Sequence, residues 1–287
     1  MFAHDTPRIF TTLRTVAVGR ARPKSFDPYG VHAHAGTMQV RIHESADDFL
    51  AIAEPVYRRD PITNTVALTI LRSAMPDDAL LLSMWQNSDV AGVALQTPPY
   101  PLACNGIPAE HADAVASDLV RMLPDLSGVR GSRETAVAFA DAWRSHGGPP
   151  GTVVLDERLY RLGDLQPPTG VAGAPRWAEA ADRDTVDDRG DRFLLSDVAG
   201  APVSMALVRA AAAGVSRIGP VFPPTNRRGS GYGSAVTAAA PQAVLDRGDA
   251  EVVLFAELAN PTSNAIYQKL GYAPVTDCVR VDFRTVD

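Results

Sequence analysis

From Met38 onward, apolar and polar residues alternate in short bursts. Met38-Gln39-Val40-Arg41-Ile42-His43 has period two and predicts a strand. Helical spacing follows over 46–59 and again over 63–74, the second opening just after Pro61, whose fixed φ suits a helix start. Residues 80–85 and 90–95 are compact apolar runs separated by Asn87, Ser88 and Asp89, which predicts a hairpin. Ala112, Val115, Leu119 and Met122 recur every three or four residues and predict an amphipathic helix over 109–123, with another over 134–145. Residues 153–155 and 158–162 predict two further strands.

The Gly/Pro-rich stretch 166–175 breaks the pattern and is the expected domain boundary. Beyond it the pattern predicts an extended piece at 175–179, a charged turn at 182–191, and strands at 193–198, 203–210 and 215–222. A helix from 233 to 245, a strand at 251–257, a helix at 262–270 and a last strand at 278–284 complete the reading. Pro241 falls inside the first of these helices, where it removes a backbone donor and predicts a kink. Interleaved strands and helices make the class mixed α/β. Residues 1–37 carry Arg8, Arg14, Arg20, Arg22 and Lys24 against Asp5 and Asp27, show no sustained period, and read as a flexible extension. Met38 is an alternative start.

Composition narrows the choice of function. A chain of 287 residues exceeds the usual single-domain size, so two cores are expected. Nothing approaches the roughly 18–20 consecutive apolar residues that cross a bilayer, and the first residues lack a leader pattern, so a cytoplasmic location with no membrane partner is expected. The net charge of -6 argues against a nucleic-acid partner. Cys104 and Cys278 stand far apart and the histidines offer only His32 and His34 at close spacing, so neither a disulfide framework nor a metal site is expected.

The segment that carries chemistry is Arg217-Ile218-Gly219-Pro220-Val221-Phe222 followed by Arg227-Arg228-Gly229-Ser230-Gly231-Tyr232-Gly233-Ser234-Ala235. A strand runs through alternating glycines into a helix. Without Cβ atoms the backbone can curl so that successive N–H groups converge where the helix dipole favours negative charge, and a phosphate fits there. A glycine turn with no ligand is the alternative. A nucleoside-triphosphate loop needs Lys before Ser or Thr, and Gly233 precedes Ser234 without one. The dinucleotide pattern G-x-G-x-x-G fails at Ser234 from one register and at Val236 from the other.

Arg228, Gly231 and Gly233 form R-x-x-G-x-G, which resembles the pyrophosphate loop of the GNAT N-acetyltransferase superfamily. Downstream, residues 254–272, with Asn260, Asn264 and Tyr267-Gln268-Lys269-Leu270-Gly271-Tyr272, resemble that superfamily's strand, Asn-containing turn and closing helix. The likeness covers about residues 200–285. It implies two GNAT-like domains, each a twisted mixed sheet flanked by helices. Residues 38–165 would be a degenerate copy, 166–175 a linker, and 176–287 an acetyl-CoA-binding domain without its usual first two helices. The degenerate half's helices, or a second copy in a homodimer, would then close the acceptor site.

The resemblance also implies acetyl-CoA as co-substrate, an amine acceptor and no metal. Backbone amides of Gly229, Ser230, Gly231, Tyr232, Gly233 and Ser234, beside Arg228, would hold the pyrophosphate. Val221 and Phe222 would lie along the pantetheine, and Asn260 and Asn264 would bond the cofactor arm. Tyr267 would be the general acid, the alternative being a core aromatic. Glu257 is the nearest carboxylate for a general base, the alternative being a solvated strand-end charge. The activity implied is acetyl transfer to an amine, and the rival is an inactive acyl-CoA-binding module or sensor.

Overall fold

The hairpin expected from the 80–95 pattern turns on Asn87 and Ser88, both at positive φ, the geometry that matches the twist of paired strands. In the computed structural model, which describes residues 38–179, 182, 190–248 and 251–283, this hairpin belongs to one mixed sheet of twelve strands. The first half supplies β1 (Gln39–Ile42), β2 (Leu80–Gln86), β3 (Asp89–Gln96), β4 (Leu102–Ala103), β5 (Gly128–Ser132) and β6 (Thr152–Leu162). The second supplies β7 (Ala174–Trp177), β8 (Arg192–Val198), β9 (Ala201–Val208), β10 (Val215–Phe222), β11 (Glu251–Glu257) and β12 (Tyr272–Asp282).

The order across the sheet is β1-β2-β3-β4-β5-β12-β6-β11-β10-β9-β8-β7. Read inward from either edge it is the same fold twice, with one parallel pair in each half, β4–β5 and β10–β11. The last strands are exchanged: β6 lies beside the second half's β11, and β12 lies beside the first half's β5. At the centre β6 and β12 run antiparallel through ten residue pairs, from Tyr272–Leu162 to Asp282–Thr152. Residues 36–287 accordingly form one compact unit, and the sheet passes unbroken over the Gly/Pro stretch, whose last two residues already belong to β7.

Helices cover the two faces. On one, α3 (Ala112–Met122) and α4 (Arg133–Ser145) bury Val115, Leu119, Phe139 and Trp143 against Leu82, Val129, Val279 and Val281. Trp143 and Phe283 stack there with ring centres 5.0 Å apart, an arrangement worth about 0.5–1.5 kcal/mol beyond area burial. Helices α5 (Tyr232–Leu245) and α6 (Pro261–Lys269) cover the same face of the second half, over Tyr160, Ile218, Leu254 and Tyr272. The opposite face carries α1 (Ala46–Tyr57) and α2 (Thr65–Leu71), started by Ser45, whose hydroxyl caps Asp48 N. Ala212 and Ala213 of the second half join the α1–α2 cluster, Ile62 packs beside Val215 and Val253, and Arg72 donates to the Ala211 carbonyl. Helices of the first half therefore wall the second half's sheet.

Three expectations need correction. The two strands expected at 153–155 and 158–162 are one, because the intervening charges are matched: Asp156 pairs with Arg133 at the start of α4 and Glu157 with Arg130 of β5. The last strand begins at Tyr272 rather than 278, passing Pro274 through a bulge before Thr276. Strand β5 was not foreseen because glycines interrupt its pattern, and the packing requires them: a Cβ on Gly131 would stand 2.6 Å from Cys104 Sγ. Helix α5 continues through Pro241 to Leu245. The extension 1–37 lies outside the described residues, as does most of the charged turn at 182–191.

Arg158 and Asp277 pair across the central seam through two bonds of 2.6 and 3.0 Å, which hold the Asp277 carboxyl below its usual range. A carboxylate depressed in the folded state adds stability above the unfolded pKa, and that stability is lost as pH falls through the folded one. Urea midpoints should therefore drop as pH goes below about 4, and Asp277→Asn should lower the midpoint at pH 7 while flattening that acid limb. An unchanged acid limb in the variant assigns the sensitivity elsewhere.

Candidate active site

β10 and β11 pair in parallel only from Val215–Glu251 to Ile218–Leu254. At Gly219, φ is +123°, and Pro220 has no N–H to give to a ladder. A bulge between Ile218 and Val221 turns β10 toward β9, and the two parallel strands part. The gap is a cleft of about 370 Å³ running through the sheet. On the α6 side it is lined by Asn260, Ser263 and Tyr267; on the opposite side by Glu157, Arg209, Arg217 and Phe255, with Glu257 at the strand end.

The glycine loop follows β10 directly. Gly229 and Gly231 take φ of +79° and +81°, conformations that cost other residues strain. Gly231 is the N-cap of α5 and brings no side chain to cap it, which leaves first-turn N–H groups for an outside acceptor. Arg227 and Arg228 stand exposed before this turn with no carboxylate partner among the described residues. Ser204 Oγ fixes the turn by donating to the Tyr232 carbonyl at 2.9 Å. An uncapped helix start behind two left-handed glycines and two open cations fits a pyrophosphate.

After β11 the chain turns on Asn260, whose side chain accepts from Ser263 N at 3.0 Å and caps α6. Asn264 is fully occupied: its amide donates to the carbonyls of Glu257 (2.8 Å) and Asn260 (2.7 Å), and its oxygen accepts from the Tyr160 hydroxyl (2.8 Å). Asn264 therefore acts here as a clip between β6, β11 and α6. Tyr267 sits between Tyr160 and Tyr272, ring centres 6.3 and 6.1 Å away, and burial pushes its phenol above its usual pKa.

Of the residues singled out in the sequence, Tyr267, Glu257 and Asn260 line the cleft. Gly229, Ser230, Gly231, Tyr232, Gly233 and Ser234 form the loop and the first turn of α5, with Arg228 just ahead. Val221 instead packs into the apolar cluster under α5, and Phe222 is half-buried beside it in β10, so neither lines the cleft. Glu257 is exposed and its carboxylate has no partner among the described residues.

Sequence reading missed the opposite wall. Arg217 had one visible signal, a lone cation in an otherwise apolar strand. Glu157 had none, because it lies in the first half and reaches the cleft only through the β6–β11 pairing. There Arg130 holds Glu157 at 2.7 Å and lies 5.1 Å over the Phe255 ring. Among the described residues no three His, Cys, Asp or Glu side chains gather as a metal site, and no helix is long and apolar enough to cross a membrane.

Residues 200–281 match the FR47-like protein family model. No curated protein matches the chain. Solved structures share the fold at low identity. A GCN5-related N-acetyltransferase from Kribbella flavida is 20% identical with a TM-score of 0.50, covering 79% of this chain and 95% of its own. An acetyltransferase of the GNAT family from Colwellia psychrerythraea is 12% identical with a TM-score of 0.56, covering 86% and 100%. A tandem GNAT protein from the clavulanic acid biosynthesis pathway is 14% identical with a TM-score of 0.53, covering 87% and 100%.

Replacing Asn264 by Ala leaves the Tyr160 hydroxyl without its acceptor and takes one of two donors from the Glu257 carbonyl, a loss on the scale of about 1–3 kcal/mol. Urea denaturation should register that loss, and a variant as stable as the parent removes the clip role.

Proposed function

Because the chain has the GNAT fold, with an FR47-like segment at residues 200–281, we propose that it moves an acetyl group from acetyl-CoA to an amine. The observation that carries this reading is the parting of β10 and β11 beside an uncapped, glycine-led helix start, with the half-buried Tyr267 on the cleft.

In this reading, first-turn amides of α5 and the guanidinium of Arg228 hold the pyrophosphate, and the cleft receives the thioester arm. The amine nitrogen attacks the thioester carbon and the C–S bond breaks. Tyr267 gives its proton to the departing sulfur; burial raises the phenol pKa, so the hydroxyl is protonated throughout the neutral range. The proton lost from the amine goes to water or to the Glu257 carboxylate at the cleft mouth. Most of the acceleration comes from holding thioester and amine together in one orientation. The acceptor approaches from the face walled by α1 and α2, so the first half completes the site that the second half leaves open, without a second copy of the chain. The division into a degenerate half over 38–165 and a cofactor-binding half over 176–287 belongs to the same proposal, as does a cytoplasmic location.

Purified protein with acetyl-CoA and a set of amines, monitored for free thiol, tests the reading. Thiol release that depends on an amine supports transfer; tight acetyl-CoA binding with no release under any amine supports the inactive acyl-CoA-binding module. Tyr267→Phe keeps the ring, so turnover should fall by about 10²-fold or more while acetyl-CoA affinity hardly changes; unchanged turnover makes water the acid. At Gly231, φ is +81° and a Cβ would meet Val171 Cγ2 at 3.0 Å. Gly231→Val should abolish acetyl-CoA binding in calorimetry, and affinity within about twofold of the parent removes the loop from the cofactor site.

A further inference from the structure

The cleft wall facing α1 and α2 carries two guanidiniums, Arg209 and Arg217, with a third, Arg130, bound to the wall's Glu157, and they are not equally matched. Arg209 is paired with Asp191, and Arg130 with Glu157. Arg217, half-buried on β10, has among the described residues a single hydrogen-bond partner, the neutral hydroxyl Thr69 Oγ1 at 3.4 Å. Asp191 and Glu157 both act on it electrostatically, yet each gives its ion pair to another arginine. Arg209 adds an unused donor, since its Nε is buried without a hydrogen-bond partner. Burial and the neighbouring Arg209 and Arg130 cations pull the Arg217 guanidinium down to about 9, which still leaves it charged at neutral pH.

A buried cation without a counter-charge is costly, and a planar five-donor fork fits a carboxylate through two parallel bonds. The same cleft holds an unmatched carboxylate, Glu257, at the strand end beside α6. Among the described residues, one unpaired cation and one unpaired anion on a cleft of about 370 Å³ describe the complement of a small molecule with an amine and an acid group. We infer that the acceptor is an amine bearing a carboxylate, of the amino-acid class, and that Arg217 binds that carboxylate beside Arg209 while the amine points toward the Glu257 end of the cleft. This rests on the transfer reading for the reaction, but the anion site itself stands on Arg217 alone.

Arg217 is the one basic residue of β10, and its side chain forms no ion pair among the described residues. It faces the same side as Val215, and its hydrogen bond to the first half goes to Thr69 of α2. The wall that the first half lends to the second thus includes the hydroxyl that steadies the specificity group.

The test compares ligands that differ only in the charged group. Calorimetry on the full chain, with CoA present and without it, measures N-acetylalanine and N-acetylphenylalanine against their carboxamides. The acids should bind about tenfold tighter or more, the scale of a hydrogen bond to a charged group, and Arg217→Gln should erase the preference. Arg217→Lys, which keeps the charge but loses the fork, should retain part of it and serves if the Gln variant does not fold. Equal affinity of acid and amide, no measurable binding of either, or a preference unchanged in both variants overturns the anion site. Thiol release with alanine against alaninamide reports separately on the reaction. Acid binding lost in Arg217→Gln, with no thiol released, keeps the site and removes the transferase reading. Release with amides as fast as with acids keeps the transferase and removes the site.

Discussion

The antiparallel pairing of β6 with β12 is the interaction on which the rest of the molecule depends. Each strand is the last of its own half, and each is held between that partner and the fifth strand of the other half. Without the pairing the sheet splits at its centre: β6 and β12 become edges, and the strands that carry Val279 and Val281 into the α3–α4 core and Tyr160 into the α5–α6 core are each held from one side alone. The Arg158–Asp277 pair reinforces the seam, but backbone hydrogen bonds and two apolar cores do most of the work, since part-exposed ion pairs contribute little.

The seam also determines what the cleft can contain. Glu157 reaches the opening beside β11 only because β6 has crossed into the second half, and Arg130 follows it from β5. The glycine loop, Tyr267 and the Asn260 cap all come from the second half. The opposite wall combines Arg217 and Arg209 with Glu157 and with α2 through Thr69. One side of the cleft is thus a local product of a single segment, and the other is a product of the whole chain.

That difference explains how much of the site was legible. Gly229, Gly231, Gly233, Asn260 and Tyr267 lie within one stretch of strand, loop and helix, where spacing alone implies geometry. Most strands and helices were legible for the same reason, because period and breakers are local signals. Strand β5 was hidden by the glycines that let Cys104 and Asn105 pack against it, and the continuity of β6 by charges that only Arg130 of β5 and Arg133 of α4 match. Asn264 was read as a ligand contact from its place in the motif; in the fold its amide donates to the Glu257 and Asn260 carbonyls and its oxygen accepts from Tyr160, a residue more than a hundred positions away that no local pattern could supply. Val221 follows the same logic: the bulge at Gly219-Pro220 turns its side chain into the core under α5, and a bulge shifts every orientation beyond it.

The strand exchange has a consequence for the order in which the protein is made. β5 ends at Ser132, yet the strand that covers its free edge begins only at Tyr272, after β6 to β11 have all been made. β6 likewise waits for β11 on one side and β12 on the other. A nascent chain therefore carries an open sheet edge and an uncovered apolar face through the synthesis of its entire second half, and the contacts that close both are long in sequence separation, which slows folding. A chain cut before Tyr272 lacks β12 and leaves the first half's edge free to pair with another copy, so this one strand seals both halves at once.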